Sequence, residues 1–349
     1  DDGETTLVPE TGFSALRLKQ DVFARSSFGG MLLNKSPADE GASNQVAVAD
    51  FDLRFAESAS FSGFAGKSRT PGLLGSDHAV GVHAEWIRDE ASAFADYVDI
   101  GDDFNSEMGF VPRTGIRKYH AQAFYSPRPG KLGMRQVFLG NDFIYITDRN
   151  GRLESQFNSL GPFIVFQNGS FLFGDWLYSA EGLTEPFEIR DGVEVPVGEY
   201  RFHRFNLGYN GDQSRPISFN AFVSGGDFFD GTLSSYNVGV NTKPHPRARF
   251  SVFYSRNNVK LPIEGGVFST NLAVVRGVFA FSPNAFVRAL VQVNDDDDEA
   301  LANVLFRYNY RPGSDLFIVY NEDRDTAVPG SAARRRELIV KLTFYLLPF

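Results

Sequence analysis

The chain of 349 residues is 42% hydrophobic, 14% aromatic and 22% charged, which is too apolar and aromatic for a disordered chain. No stretch approaches the roughly 18–20 unbroken apolar residues of a membrane helix, so a helical membrane protein is excluded. A formal net charge of -9 argues against nucleic-acid binding, and the lack of cysteine excludes disulfide frameworks, thiolate metal sites and cysteine nucleophiles.

The start, DDGETTLVPETGF, is acidic and polar and does not read as a signal peptide, so any export signal is expected to be removed or to lie upstream. From there period-two alternation recurs and helical spacing is scarce. Over 47–55, Ala47, Ala49, Phe51, Leu53 and Phe55 share one face against Val48, Asp50, Asp52 and Arg54. Over 203–210, His203, Phe205, Leu207 and Tyr209 oppose Arg204, Asn206, Gly208 and Asn210. Near 217–224, Ile217, Phe219, Ala221 and Val223 oppose Ser218, Asn220, Phe222 and Ser224. Over 247–256, Ala248, Phe250, Val252 and Tyr254 oppose Arg247, Arg249, Ser251, Phe253 and Ser255. Over 285–294, Ala285, Val287, Ala289, Val291 and Val293 oppose Phe286, Arg288, Leu290, Gln292 and Asn294. Over 302–311, Ala302, Val304, Phe306, Tyr308 and Tyr310 oppose Asn303, Leu305, Arg307, Asn309 and Arg311. Each stripe implies a strand of roughly nine to eleven residues, the length a tilted strand needs to cross a bilayer, whereas soluble strands average about five to six.

The connections segregate by length. Tight turns are expected near Ser26–Ser27, Glu57–Ala59, Glu90–Ser92, Pro127–Gly130, Asn168–Ser170, Gly211–Arg215, Lys243–Pro246, Ser282–Asn284 and Pro312–Gly313. Between them fall mostly longer loops, SPADEGAS, TPGLLGSD, GDDFNSEMGFVPR, TEPFEIRDGVEVPVG, GGDFFDG, NNVKLPIEGG, NDDDDEA and NEDRDTAVPGSAARRR, with the short DRNG near 148–151 as an exception. Short periplasmic turns and longer extracellular loops are the pattern of outer-membrane barrels. The expected fold is therefore all-β, a transmembrane antiparallel outer-membrane β-barrel of about 18–20 strands, with residues 1–349 as a single barrel domain. Counting back from RELIVKLTFYLLPF, which should run inward after a long loop, puts Asp1 on the loop side. Complete barrels usually start in the periplasm, so the chain reads as the C-terminal part of a longer barrel. In the last strand Leu338, Val340, Leu342, Phe344 and Leu346 form one apolar face, and the terminal Phe349 suits an outer-membrane assembly signal, although Pro348 departs from it.

Five segments together, LRLKQDVFARSSFGGMLLNK at 16–35, VDIGDDFNSEMGFVPR at 98–113, ITDRNGRLESQ at 146–156, VPVGEYRF at 195–202 and RPGSDLFIVYNEDRD at 311–325, resemble the C-terminal β-barrel region of a bacterial outer-membrane protein family of uncharacterised function. Longer members of that family carry an N-terminal carbohydrate-binding-like module of the family-nine type. The resemblance implies further strands and a periplasmic module upstream. It carries no sugar-binding role over to these residues, none of which reads as that module.

Candidate chemistry is sparse. The five histidines, His78, His83, His120, His203 and His245, form no HExxH motif and no close pair of histidines with a carboxylate partner, and no GxSxG elbow is present. No catalytic, cofactor-binding or metal-ligating residue is singled out, and no cofactor is expected. Asp295–Asp298 with Glu299 lacks the spacing of a calcium loop and reads as a solvated loop. Phe104, Met108 and Phe110 are candidates for a loop that folds over or into the barrel. Arg334–Arg336 can face lipopolysaccharide phosphates, since guanidinium grips phosphate through a planar fork. Trp86, Trp176 and Tyr310 suit interfacial girdles. The lumen-facing candidates are Asp50, Asp52, Arg54, Arg204, Arg247, Arg249, Arg288, Arg307 and Asn309, because an Arg or Lys facing lipid at mid-membrane costs about 2–4 kcal/mol. Arg88 and Arg311 lie on the same face or at its ends. A barrel this wide is too large to fill with its own side chains, so its lumen must hold water, a plug or a partner.

The functional expectation is a pore or transport-type channel for polar solutes in the bacterial outer membrane. Its expected partners are outer-membrane lipid and lipopolysaccharide, with a second polypeptide completing or plugging the barrel as a further option, and no nucleic acid. The alternatives are a non-conducting scaffold that anchors a surface or periplasmic complex, and a membrane-embedded hydrolase whose catalytic groups meet only between strands.

Overall fold

The computed structural model describes residues 10–38, 43–55, 57–73, 75–327 and 332–345. Nineteen strands form one antiparallel meander. They are β1 (Thr11–Val22), β2 (Ser26–Pro37), β3 (Asn44–Phe55), β4 (Ala59–Arg69), β5 (His78–Ile87), β6 (Ala91–Ile100), β7 (Ile116–Tyr125), β8 (Met134–Asp148), β9 (Leu153–Phe166), β10 (Phe171–Leu183), β13 (Gly198–Asn210), β14 (Ile217–Phe228), β15 (Gly231–His245), β16 (Ala248–Lys260), β17 (Val267–Ser282), β18 (Ala285–Asn294), β19 (Glu299–Arg311), β20 (Ser314–Asp325) and β21 (Ala333–Leu342). A separate small hairpin, β11 (Phe187–Arg190) and β12 (Val193–Val195), interrupts the connection from β10 to β13.

The registers turn local alternation into a two-faced wall. Directly opposed residues of paired strands lie on the same face. One row runs Tyr209, Ala221, Val238, Tyr254, Ala273, Val293 and Ala300 across seven strands, and every member is apolar or aromatic. The neighbouring row on the other face runs Gly208, Phe222, Asn237, Ser255, Leu272, Asn294 and Glu299. Followed in this way through every ladder, all six expected apolar stripes fall on one face and their polar partners on the other. Apolar side chains of the first face stay uncovered: Leu18 is 67% exposed, Phe205 66%, Phe219 56% and Val252 52%. A continuous apolar face of this extent needs lipid as its neighbour, so it is the outer face and the polar face lines the interior.

The ends differ as expected, with exceptions that have physical causes. Connections at one end include 38–43, 70–77, 101–115 and 184–197; those at the other include 23–25, 88–90, 246–247 and 283–284. Pro127–Gly130 is not a tight turn but part of a longer connection over 126–133, where Pro127 and Pro129 cannot donate to a ladder. Arg128 ties this connection to Asp89 of the neighbouring turn at 2.5 Å. GGDFFDG is not a long loop. β14 continues to Phe228, only Phe229 and Asp230 lie outside the strands, and the rings of Phe228 and Phe229 pack at 4.7 Å.

β1 starts at the longer-loop end, while Asp1 lies outside the described residues. Among the described residues β1 pairs only with β2 and β21 only with β20. With nineteen strands among the described residues, β1 and β21 run in the same direction, so pairing them directly would be parallel. Antiparallel closure takes an odd number of additional strands.

The two faces predict unequal responses to charge. Val238→Arg, on the outer face of β15, is expected to lower stability in lipid vesicles by about 2–4 kcal/mol. Asn237→Arg, one residue away and inward, is expected to cost much less. Urea unfolding of both variants in vesicles checks the difference.

Candidate functional site

The interior polar face gathers the candidate residues on β3, β13, β16, β18 and β19. Arg17 of β1 clasps Asp50 with both guanidinium nitrogens, Nη2 donating to Oδ1 at 2.8 Å. Asp52 and Arg54 pair at 3.3 Å further down β3. Arg204 is half-buried, lies 5.8 Å over the Phe202 ring, and its Nε has no acceptor among the described residues. Arg247 sits in the turn before β16, where Nη1 donates to the Phe281 carbonyl at 3.2 Å. Arg307 forms a two-pronged pair with Asp315, at 2.9 and 3.2 Å, and Asn309 donates to the same carboxylate at 3.1 Å. Arg249 and Arg288 are exposed on the interior face and have no ion-pair partner among the described residues.

Two connections fold onto this face at the longer-loop end. In 101–115, Phe104 is buried against Val46 of β3 and Ala79 of β5, with Leu33, Val48, Ile100 and Val111 around it. The loop is pinned by Asn44, which is 1% exposed. Its Nδ2 donates to Thr70 Oγ1 at 2.8 Å and to the Asn105 carbonyl at 3.0 Å, and its Oδ1 accepts from the Glu107 amide at 3.2 Å. Ser68 Oγ accepts from the Asn105 amide at 2.9 Å, and Lys35 pairs with Glu107 at 2.5 Å. Glycines mark the loop's base: a side chain at Gly101 would collide with the Ser76 carbonyl, and Gly115 has φ +72°. Of the aromatic and methionine candidates, Phe104 lies on the wall, Met108 is half-buried and Phe110 is 89% exposed.

The second is the β11–β12 hairpin. Val195 is buried with Tyr200, Phe202, Val259 and Leu261, and Ile189, Leu233 and Phe268 pack around them. Tyr200 donates its hydroxyl to the Pro196 carbonyl at 2.8 Å. Arg190 lies 5.0 Å over the Phe268 ring and pairs with Asp296 at 3.0 Å. Asp296 thus ties the acidic run to the hairpin, while all four aspartates of 295–298 stay exposed, as a solvated loop would have them. The two loops cover separate stretches of the interior face, one over β2–β6 and one over β13–β17.

A row of polar side chains crosses the interior of β5 to β13. His83 Nδ1 is 2.6 Å from Asp96 Oδ1; His120 Nδ1 is 3.6 Å from Asp96 Oδ2, and its Nε2 is 2.9 Å from Asp142 Oδ1. Further along, Ser159 and Asn206 donate to Asp175 at 3.2 and 3.0 Å. Sequence spacing missed this row because its members meet only through strand register. The one available signal was a lone polar residue at the inward parity of each strand. No group of three or more His, Asp or Glu suited to holding a metal occurs among the described residues.

The outer face is asymmetric end to end. Near the loops it carries Lys67, Arg69, Arg117, Arg201, Arg256, Arg324 and Arg336, of which Lys67, Arg117, Arg201, Arg324 and Arg336 pair with Asp77, Asp99, Glu199 and Glu322; near the turns it carries Phe55, Trp86, Tyr125 and Tyr308. Of the arginines expected to face phosphate, Arg334 pairs with Asp325 at 2.5 Å, Arg335 with Glu337 at 3.3 Å and Arg336 with Glu322 at 3.4 Å. Leu346, Pro348 and Phe349 lie outside the described residues.

No protein-family model matches the chain, and no curated protein matches it. Among solved structures it is similar to a mutant form of the ferric enterobactin receptor PfeA of Pseudomonas aeruginosa, at 10% identity and a TM-score of 0.52, covering 96% of this chain and 70% of that one. The same receptor in complex with BCV-L6 gives 10% identity and a TM-score of 0.51, over 97% and 71% of the two chains. The siderophore receptor PirA from Pseudomonas aeruginosa gives 10% identity and a TM-score of 0.49, over 91% and 68%. With the strand ladders and the two-faced wall, the two PfeA matches define the class: the chain has the fold of an outer-membrane β-barrel.

Removing the Asn44 side chain leaves the Glu107 amide and the Asn105 carbonyl without their partner. Asn44→Ala is expected to cost about 1–3 kcal/mol. It should also speed amide exchange across 101–113 while leaving β15–β19 unchanged, as hydrogen-exchange mass spectrometry would read.

Proposed function

We propose that the protein is a transport-type channel for polar solutes in the bacterial outer membrane, its mouth narrowed by the 101–115 loop and the β11–β12 hairpin. The observation that carries this reading is an interior face rich in polar and charged side chains, on strands whose outward positions at mid-span are mainly apolar. Such a face is wasted on a wall that encloses no water. Arg69 and Arg256, outer-face arginines near the loops with no carboxylate partner among the described residues, support lipopolysaccharide as a partner, through phosphate contacts by guanidinium groups. The finer affiliation, with the uncharacterised barrel family whose longer members carry a family-nine-type carbohydrate-binding-like module, rests on the five segments quoted above.

The same-direction edges, β1 and β21, support a wall completed by further polypeptide contributing an odd number of strands. Native mass of the detergent-purified particle, followed by denaturing analysis, is expected to reveal a component beyond a single copy of this chain. A compact, closed single chain would refute the completed-wall reading. A second functional reading, a non-conducting scaffold, is favoured by the two infolded loops. Single-channel recording separates the two. Discrete conductance steps are expected, larger when residues 104–112 are removed; a folded, inserted particle that passes no current in either form would establish the scaffold.

A further inference from the structure

Several interior charges are compensated within the wall. Arg17 has Asp50, Lys35 has Glu107, Arg307 has Asp315 and Arg335 has Glu337. One stretch of wall is nearly without acidic residues to do this. From Gly231 to Asn294, through β15, β16, β17 and β18, the sole acidic residue is Glu264, in the connection 261–266 at the loop end. Within that stretch Arg249, Arg276 and Arg288 point to the interior and are exposed, with no ion pair or side-chain hydrogen bond among the described residues.

Their registers place them together. Arg249 stands opposite Val278, and Val278 opposite Arg288, so the two arginines share a row with one strand between them. Arg276 lies two residues along β17 from Val278, between them and toward the loop end. With strands about 4.8 Å apart and about 3.4 Å rise per residue, the three Cα atoms fall within about 10 Å, inside the reach of three guanidinium groups. Like charges held this close, in a chain of net charge -9, gain from an anion that bridges them.

We propose that Arg249, Arg276 and Arg288 form a binding strip for small solutes carrying several oxyanion groups, such as oligophosphates. This deepens the channel reading and rests on it for the direction of transport, but not for binding. Guanidinium offers paired N–H donors that match phosphate oxygens, and unpaired arginines on a pore wall raise the local concentration of anions. The phosphates in question are those of free solutes, because lipid head groups meet the outer face, not this one.

The test uses the full chain purified in detergent and inorganic tripolyphosphate as the probe, with binding read by calorimetry. Wild type is expected to bind, and the combined variant Arg249→Gln, Arg276→Gln, Arg288→Gln to bind at least about tenfold more weakly, one factor of ten being about 1.4 kcal/mol. Arg215→Gln, at an exposed turn where Arg215 pairs with Asp212, should bind as wild type does. Equal binding by the triple variant, or no binding by wild type, overturns the proposal. If the triple variant fails to fold, as judged by loss of its heat-modifiable gel shift, Arg276→Gln alone is used, with about threefold weakening expected and no change counting against the strip. Reversal potentials in planar bilayers separate the two readings. Binding lost in the variant of a chain that never conducts sustains the strip and removes the channel. A conducting chain with no tripolyphosphate binding, and ion selectivity equal in wild type and variant, removes the strip and keeps the channel.

Discussion

Everything in this molecule follows from the need to satisfy backbone hydrogen bonds where no water can reach. In hydrocarbon each unpaired N–H or C=O costs several kcal/mol, so a spanning sheet must carry an unbroken ladder from strand to strand. That continuity is what transmits face identity. Once Val238 is set outward, Tyr254, Ala273 and Val293 follow through the registers, and Asn237 and Ser255 are held inward. A slip by one residue anywhere would turn every later arginine toward lipid. The bulges that occur, such as those between Thr242 and His245 and between Ala280 and Ser282, sit at strand ends, where they leave the membrane-spanning registers intact.

The same constraint explains where the compact packing lies. The wall itself has little buried core, because its apolar face looks to lipid. The two clusters of buried apolar residues form where the 101–115 loop and the β11–β12 hairpin return onto the interior face. There Val46, Ala79, Tyr200 and Val259 occupy inward positions near the loop end, where the polar lining gives way to small apolar platforms. The loops thus gain docking sites at the loop end of the interior face. The charges lower in the wall divide into a histidine and carboxylate row on β5–β10 and an arginine-rich stretch on β16–β19, which gives the interior two chemically different sides.

Much of the fold was legible in the sequence because its signal is local. Alternation within nine or ten residues assigned Phe205, Leu207 and Tyr209 outward and Arg204 and Asn206 inward, and loop lengths ordered the two ends. Contacts between distant segments were not legible. His83 and Asp96 are 13 residues apart and His120 and Asp142 are 22 apart, so only the register brings them together. Arg190 reaching Asp296 depends on a hairpin too short to show a period of its own. Arg334–Arg336 read as free cations from sequence, yet each faces a carboxylate of this chain. Phe228 and Phe229 read as a loop because a glycine pair precedes them, while their packing under the hairpin holds the strands together almost to the tip.

The most direct test of the two-faced wall uses the fact that the chain has no cysteine, so each introduced one is unique. Single cysteines at consecutive positions from Ser234 to Asn241 along β15 would be spin-labelled in lipid vesicles and their collision rates with oxygen and with a water-soluble nickel chelate compared. The two-faced wall predicts strict alternation, with Tyr236, Val238 and Val240 open to oxygen from the lipid and Ser235, Asn237 and Asn241 open to the aqueous reagent. Uniform access to the nickel chelate along the strand, or alternation of the opposite phase, would contradict it.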